Sequence, residues 1–379
     1  MLQSAATLGG SDDFGEPFFR EGFDVLLRSL EEEAALHPPG AWRVCGFLID
    51  LLVVRGRLTE RLNARPQLAE LPLSSPVFIT GLPRTGTSFL HNLLGRIQGF
   101  RAFKAWELRA PVMPEGAGSE WVRHQIDQTA KELHGLYQYV PSLERIHKLE
   151  AEAPDECNWL FRNGFTTLAF SFLWHIPGYM RWETSAPRHS AYADYRRQLQ
   201  ILSDPDRVPS REPARLVLKD PCHLWHLDAL LDTFEDAVIV QIHRDPAETV
   251  PSLASLCQAL QSLDSNRLDT DGIGAYCVEM VDRGLEAMTR VRRERPDARI
   301  FDVHYRELIA DPLGTLEHIC KYVEQPLDEY RREAVSEWLE KHSSQPGDHR
   351  YRPEDFGLDA GALRKRYAEY IDHFNVQTG

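Results

Sequence analysis

The sequence predicts an α/β protein, a P-loop-like three-layer α/β/α fold with a central, mostly parallel sheet and additional N-terminal and middle helices. Three observations predict it. Short apolar, β-branched runs recur at 76–81, 215–219, 237–243 and 299–305, the pattern of strands buried on both faces. Stretches of helical periodicity separate these runs, and strands alternating with helices build parallel sheets through right-handed crossovers. The first run ends in a glycine-bracketed loop, Gly81 to Gly86, that opens a helix, the place where such folds cradle anions.

Taken in chain order, residues 1–15 read as frayed, because Gly9-Gly10-Ser11-Asp12-Asp13 is loop chemistry. Residues 17–63 carry helical spacing at Phe23, Leu26, Leu27, Leu30, Leu51 and Leu52, and Pro38-Pro39-Gly40 divides them into two helices. The 76–81 strand and a helix at 87–98 follow, with a short strand suggested at 100–105. Further helical stretches read at 119–138, 154–172, 187–202, 223–234, 246–261, 274–295, 313–323, 328–341 and 360–373. The one long late loop, 343–355, is rich in Pro, Gly, His and Arg, and loops of that length inside a domain are commonly functional.

Composition removes several classes. The 379 residues include 57 Asp and Glu against 43 Lys and Arg, a formal charge of −14. That balance argues against nucleic-acid binding, which needs a basic face to displace counterions. The composition is 42% hydrophobic and 26% charged, which rules out a disordered or fibrous chain. Six scattered cysteines with no C-x-x-C pair give neither a disulfide framework nor a zinc knuckle. The N-terminus lacks the basic and apolar regions of a secretory signal. The longest apolar run, 45–54, contains Asp50 and is about half of what a membrane span needs. The expectation is a cytoplasmic protein.

The loop Gly81-Leu82-Pro83-Arg84-Thr85-Gly86-Thr87-Ser88 keeps the glycine spacing of an ATP-type P-loop but has Thr87 where the lysine belongs. Its basic charge sits inside the loop as Arg84, a planar fork suited to phosphate oxygens. Thr85, Gly86, Thr87 and Ser88 supply backbone N–H groups and hydroxyls, and Thr87 and Ser88 are placed to cap the helix. A second cluster, His243-Arg244-Asp245-Pro246 with Ser252 two turns further on, follows another strand. Open α/β sheets bind ligands at such carboxyl ends.

In these two segments the chain resembles the sulfotransferases that use 3′-phosphoadenosine 5′-phosphosulfate (PAPS). The 81–88 loop is similar to their 5′-phosphosulfate loop, and the segment from His243 through Ser252 to their 3′-phosphate element. An arginine at position 84, where the cytosolic branch carries lysine, resembles the tyrosylprotein and many bacterial members, as does Lys219-Asp220-Pro221. The resemblance is specific over roughly 76–260 and looser elsewhere. No boundary cuts the chain cleanly, so one domain over 1–379 is expected, made of a helical N-terminal extension (1–70), a nucleotide-binding core (76–322) and C-terminal helices and loop (323–379).

Sulfuryl transfer to a hydroxyl needs a base for the acceptor proton and cations for the sulfuryl oxygens. Arg84 and Lys219 are the cationic candidates. For the base, Glu107 resembles the catalytic glutamate of the tyrosylprotein group. His147 and His223 are alternatives, since cytosolic members use histidine. The resemblance also implies that Tyr305 contacts adenine and that Arg350, in the late loop, covers the 3′-phosphate. Trp121, Trp159, Trp174 and Trp182 are read either as core or as lining of an apolar acceptor pocket.

The reading that follows is transfer of a sulfuryl group from PAPS to a hydroxyl of an uncharged small-molecule, lipid or polyketide-like acceptor, releasing 3′,5′-adenosine bisphosphate, without a metal. No Walker-B-like Asp closes a strand, and Asp220, the best remaining metal candidate, is more simply a turn cap. The rivals are a P-loop small-molecule kinase using Mg-ATP and a nucleotide-binding module without chemistry. A homodimer and a peripheral membrane contact stay open.

Overall fold

The computed structural model describes residues 1–146, 148–185, 187–207, 214–266, 268–342 and 352–379. Five strands form one sheet: β1 (Val77–Gly81), β2 (Phe100–Arg101), β3 (Arg215–Lys219), β4 (Val238–His243) and β5 (Ile300–His304). Their order is β2-β3-β1-β4-β5 and every neighbouring pair is parallel. The first, third, fourth and fifth strands fall where the apolar runs place them. The strand suggested at 100–105 is only two residues long, because the chain turns into a helix at Ala105–Arg109.

Strand residues alternate between two apolar layers. Phe78, Leu216, Leu218 and Ile239 face one core, with Leu227, Leu230, Leu253, Met280 and Tyr195 from the helices there. Val77, Ile79, Val217, Val238, Val240 and Ile242 face the other, against Leu90, Leu93 and Leu94 and against Leu316 and Ile319. A strand buried on both faces cannot show an apolar-polar alternation, which is why these segments read as continuous apolar runs.

The N-terminal helices, Phe19–Glu32 and Pro38–Ala64, form a third cluster, packing on Phe165, Phe170, Trp174 and Tyr179 of the middle segment. Residues Leu2–Gly9 are helical rather than frayed. That helix packs along Pro38–Ala64 with Ala5 buried, so a tertiary contact overrides weak local propensity. The helix expected over 154–172 is two short ones, Asn158–Arg162 and Ala169–Leu173, parted at Phe165, whose φ is +53°. Among the described residues no helix is long and apolar enough to cross a membrane.

Parallel pairing brings four strand ends to one edge. Ile79 is level with Lys219, Gly81 with Ile242, and His243 with His304. The loops after β1, β3, β4 and β5 therefore meet there. The chain leaves β1 toward β2 on one side of the sheet and β4 toward β5 on the other, which opens a crevice at that switch.

Candidate active site

At this edge lies a cavity of about 570 Å³, and Arg84, Gly86, Thr87, Ser88, Arg244 and Tyr305 all line it. The two arginine-bearing turns, 160 residues apart, thus share one cleft. Arg244 donates from Nη1 to the Arg84 carbonyl at 2.9 Å and from Nε to Glu248 at 2.9 Å, and its guanidinium lies 4.0 Å from the Tyr305 ring centroid. Arg84 donates from Nε to Ser252 Oγ at 3.2 Å and from Nη2 to the Ile146 carbonyl at 2.8 Å. Ser252 is buried against Arg84 instead of lining the cavity.

The 81–88 loop is tightly constrained. A Cβ on Gly81 would sit 2.5 Å from the Ile242 carbonyl, and one on Gly86 2.9 Å from Tyr305 Cδ2. Arg84 itself takes φ +73°, a left-handed conformation uncommon for a residue with a side chain. Thr85 is buried and donates to the Leu82 carbonyl at 2.7 Å, so its side chain ties the loop and only its backbone can serve a ligand. The helix after the loop, Thr87–Leu94, starts at Gly86 with no side-chain cap. Thr87 and Ser88 were expected to cap it; Ser88 Oγ instead accepts from Lys219 Nζ at 3.1 Å. The first N–H groups of a helix lack intrahelical partners, and here they are left for an anion.

Lys219, only 2% exposed, bridges Ser88 and Glu156, donating to Glu156 Oε1 at 2.7 Å. The other oxygen, Oε2, accepts from Asn158 Nδ2 at 2.6 Å. Glu156 lines the cavity beside the loop. Glu156 is not among the candidates that the sequence suggested. The signal that singles it out is spatial, its ion pair with a lysine that ends the adjacent strand.

Glu107 is placed elsewhere. It is buried, does not line the cavity, and both oxygens are engaged: Oε1 by Arg101 at 3.1 Å and Oε2 by the Lys104 backbone N–H at 2.9 Å. By accepting from the Lys104 N–H, Glu107 makes the N3 half of a capping box at the start of Ala105–Arg109. His223 is also away from the cavity. It is buried between Cys157 Sγ at 3.3 Å and the Tyr192 hydroxyl at 2.8 Å, and burial pushes its pKa down to about 3. His147 and Arg350 lie outside the described residues.

Asp220 accepts from the Cys222 N–H at 2.9 Å and caps the following turn. Burial, then the charge of Glu156, pushes its pKa up to about 7. Of the His243-Arg244-Asp245-Pro246 segment, only Arg244 faces the cavity. His243 is held between the Tyr370 hydroxyl at 3.0 Å and Asp302 at 2.9 Å. Asp245 accepts from the Ala247 N–H and from Arg364, both at 2.9 Å, and so braces the turn.

Away from the sheet the cavity becomes an apolar chamber. Val44, Phe47, Leu133, Leu136, Phe172 and Leu260 contribute to its wall, together with Trp159 and Trp174. The other two tryptophans are not there. Trp121 packs edge-on against Trp106, and Trp182 packs on Tyr179 and donates to Glu21.

An anion-binding loop and a second arginine turn at the carboxyl edge of a parallel sheet, sharing a cleft with an apolar chamber, define a P-loop-like group-transfer enzyme. The chain belongs to the sulfotransferase family, whose family model matches residues 76–329. The crystal structure of sulfotransferase STF1 from Mycobacterium tuberculosis is similar with a TM-score of 0.84 at 31% identity, covering 97% of each chain. That of STF9 from Mycobacterium avium gives a TM-score of 0.88 at 26% identity, covering 99% of this chain and 96% of that one. Omega-hydroxy-beta-dihydromenaquinone-9 sulfotransferase Stf3 of Mycobacterium bovis is 25% identical over 292 residues, 74% of this chain and 68% of its own. The chemistry of this protein is therefore sulfuryl transfer.

Proposed function

We propose that the protein transfers a sulfuryl group from PAPS to the hydroxyl of an apolar small-molecule or lipid acceptor. The observation that carries this reading is the single cavity joining Arg84, Ser88, Glu156 and Arg244 to the apolar chamber. The menaquinone-type substrate named for the Mycobacterium bovis relative is an acceptor of the same broad kind.

The residues fit the donor. The uncapped start of Thr87–Leu94, Ser88 and Arg84 would hold the 5′-phosphosulfate. Arg244, oriented by Tyr305 and the Arg84 carbonyl, would hold the 3′-phosphate. Tyr305, against Gly86, offers a ring for the base. PAPS supplies the sulfuryl group and the leaving phosphate.

Glu156 is the residue best placed to accept the proton of the acceptor hydroxyl. As that proton moves to Glu156, the hydroxyl oxygen bonds to sulfur and the bond from sulfur to the 5′-phosphate oxygen breaks. Lys219 Nζ has three N–H groups; Ser88 and Glu156 take two, and the third is left for charge developing on the transferring group. Removal of a general base costs roughly 10²–10⁴ in rate.

Two measurements test the reading. Transfer of radiolabelled sulfate from PAPS to apolar alcohols should occur without ATP. Calorimetry should show 3′,5′-adenosine bisphosphate binding far more tightly than AMP or ATP. Phosphorylation of the same alcohols by Mg-ATP, or equal binding of AMP and the bisphosphate, would overturn it.

A further inference from the structure

Among the described residues, the acceptor chamber holds a guanidinium, Arg162, that has carboxylates nearby but makes no direct ion pair with one. Arg109 donates to Asp155, Arg43 to Asp264, Lys148 pairs with Glu150 and Arg244 with Glu248. Arg162 also lines the cavity, but has no carboxylate partner among the described residues. Its Nε donates to Asn158 Oδ1 at 3.0 Å and its guanidinium lies 4.1 Å from the Trp159 ring centroid. Arg109 stacks on the same ring at 4.0 Å. Neither terminal nitrogen of Arg162 has a hydrogen-bond partner among the described residues, and neither is sealed off by protein. Burial and the like charge of Arg109 lower its pKa to about 10, with the carboxylates of Asp155, Glu156 and Asp220 acting in the opposite direction.

Four guanidinium N–H groups without an acceptor among the described residues face the cavity, where a ligand's oxygens can answer them. A planar fork of donors matches a pair of anionic oxygens. Its position sets the spacing. Arg162 donates to Asn158, and Asn158 donates to Glu156, so the fork lies two hydrogen bonds from the carboxylate that would take the acceptor proton.

We propose that the acceptor carries an anionic oxygen group of the carboxylate type a few bonds from its reactive hydroxyl, on an otherwise apolar frame, and that Arg162 reads it. This rests on the sulfotransferase reading above and names its substrate class more closely. It also departs from the uncharged acceptor expected from the net charge of −14. Global charge governs long-range attraction, while one enclosed arginine governs what fits once inside.

The test uses 3-hydroxydodecanoate and 12-hydroxydodecanoate, each as free acid and as methyl ester, with the full chain and PAPS. The wild type should prefer the 3-hydroxy acid over its ester by about 10–100-fold in kcat/KM, as a charge-assisted contact allows. The 12-hydroxy pair should show little preference. Arg162→Gln should bring the 3-hydroxy ratio close to one while 3′,5′-adenosine bisphosphate binds as in the wild type, and Arg162→Lys, which keeps charge without the fork, should fall between. A wild-type ratio near one, or a ratio that survives in Arg162→Gln, overturns the proposal. If wild type sulfates neither form of the 3-hydroxy chain, this proposal is overturned, while sulfation of other apolar alcohols from PAPS keeps the parent reading.

Discussion

The two ends of the cavity are built by different physics. The donor end is made of strand ends and the turns after them, and its cations are fixed before any ligand arrives. Arg244 is clamped by a carbonyl, a carboxylate and a ring, and Lys219 by a hydroxyl and a carboxylate. The acceptor end is made of side chains from short helices and from the Pro38–Ala64 helix, and most of its wall is apolar. Fixed dipoles and charges suit a donor that is the same in every turnover. An apolar wall sets which acceptor enters mainly by shape, each methylene being worth only about 1–3 kcal/mol of discrimination.

The largest effect that would sharpen this contrast is expected at the junction of the two ends. Glu156→Gln should lower kcat by about 10²–10⁴, with bisphosphate affinity by calorimetry nearly intact. Turnover equal to wild type would remove Glu156 as the base. In the paired control, Glu107→Gln should leave kcat within a few-fold. It should destabilise the fold by about 3 kcal/mol in denaturant titration, as loss of one partner from a buried ion pair does. A collapse of kcat in a folded Glu107→Gln variant would return the base to position 107.

At the donor end, Arg244→Ala should weaken 3′,5′-adenosine bisphosphate roughly 10–100-fold, the worth of a charge-assisted contact, without changing acceptor KM. At the acceptor end, Trp174→Ala should raise acceptor KM and leave bisphosphate affinity alone. If either substitution moved both ligands equally, the division between the ends would be lost.

The last effect is of another kind, on stability against pH. His91 Nε2 donates to the Val217 carbonyl inside the sheet-helix interface, and burial holds it, like His223, at a pKa of about 3. Between about 6.5 and 3 the unfolded chain binds protons that the folded chain does not. Stability should therefore fall as pH drops through that window, by up to about 1.4 kcal/mol per unit for each histidine. Asp220, raised to about 7, works the other way, since the folded state holds its proton up to that pH. His223→Phe should flatten the acid limb of a melting-temperature profile, and Asp220→Asn should steepen it.

Much of the donor end was legible because its signals are local. An apolar run followed by Gly81 to Gly86 specifies strand, turn and helix within about a dozen residues, and the parallel sheet then brings the turn at Arg244 to the same edge. The acceptor end was not legible in that way. Helical periodicity marked 154–172 as one helix, yet the break at Phe165 turns the segment back on itself. Four tryptophans looked alike in sequence, and only Trp159 and Trp174 reach the chamber.

The carboxylates show the limit most clearly. The resemblance put Glu107 forward as the base and left Glu156 out, and nothing in the local sequence of either separates their roles. The structure, not the spacing, shows Glu107 closing on the Lys104 N–H at the start of a short helix. Only the tertiary structure sets Glu156 against Lys219, because that contact spans 63 residues and depends on strand register. By itself the sequence determined the fold, the glycine-bracketed loop and the two arginine-bearing turns at strand ends, since backbone conformation and strand burial are written in short-range pattern. Which carboxylate lies against Lys219, and which side chains line the same void, were decided by how distant segments close together.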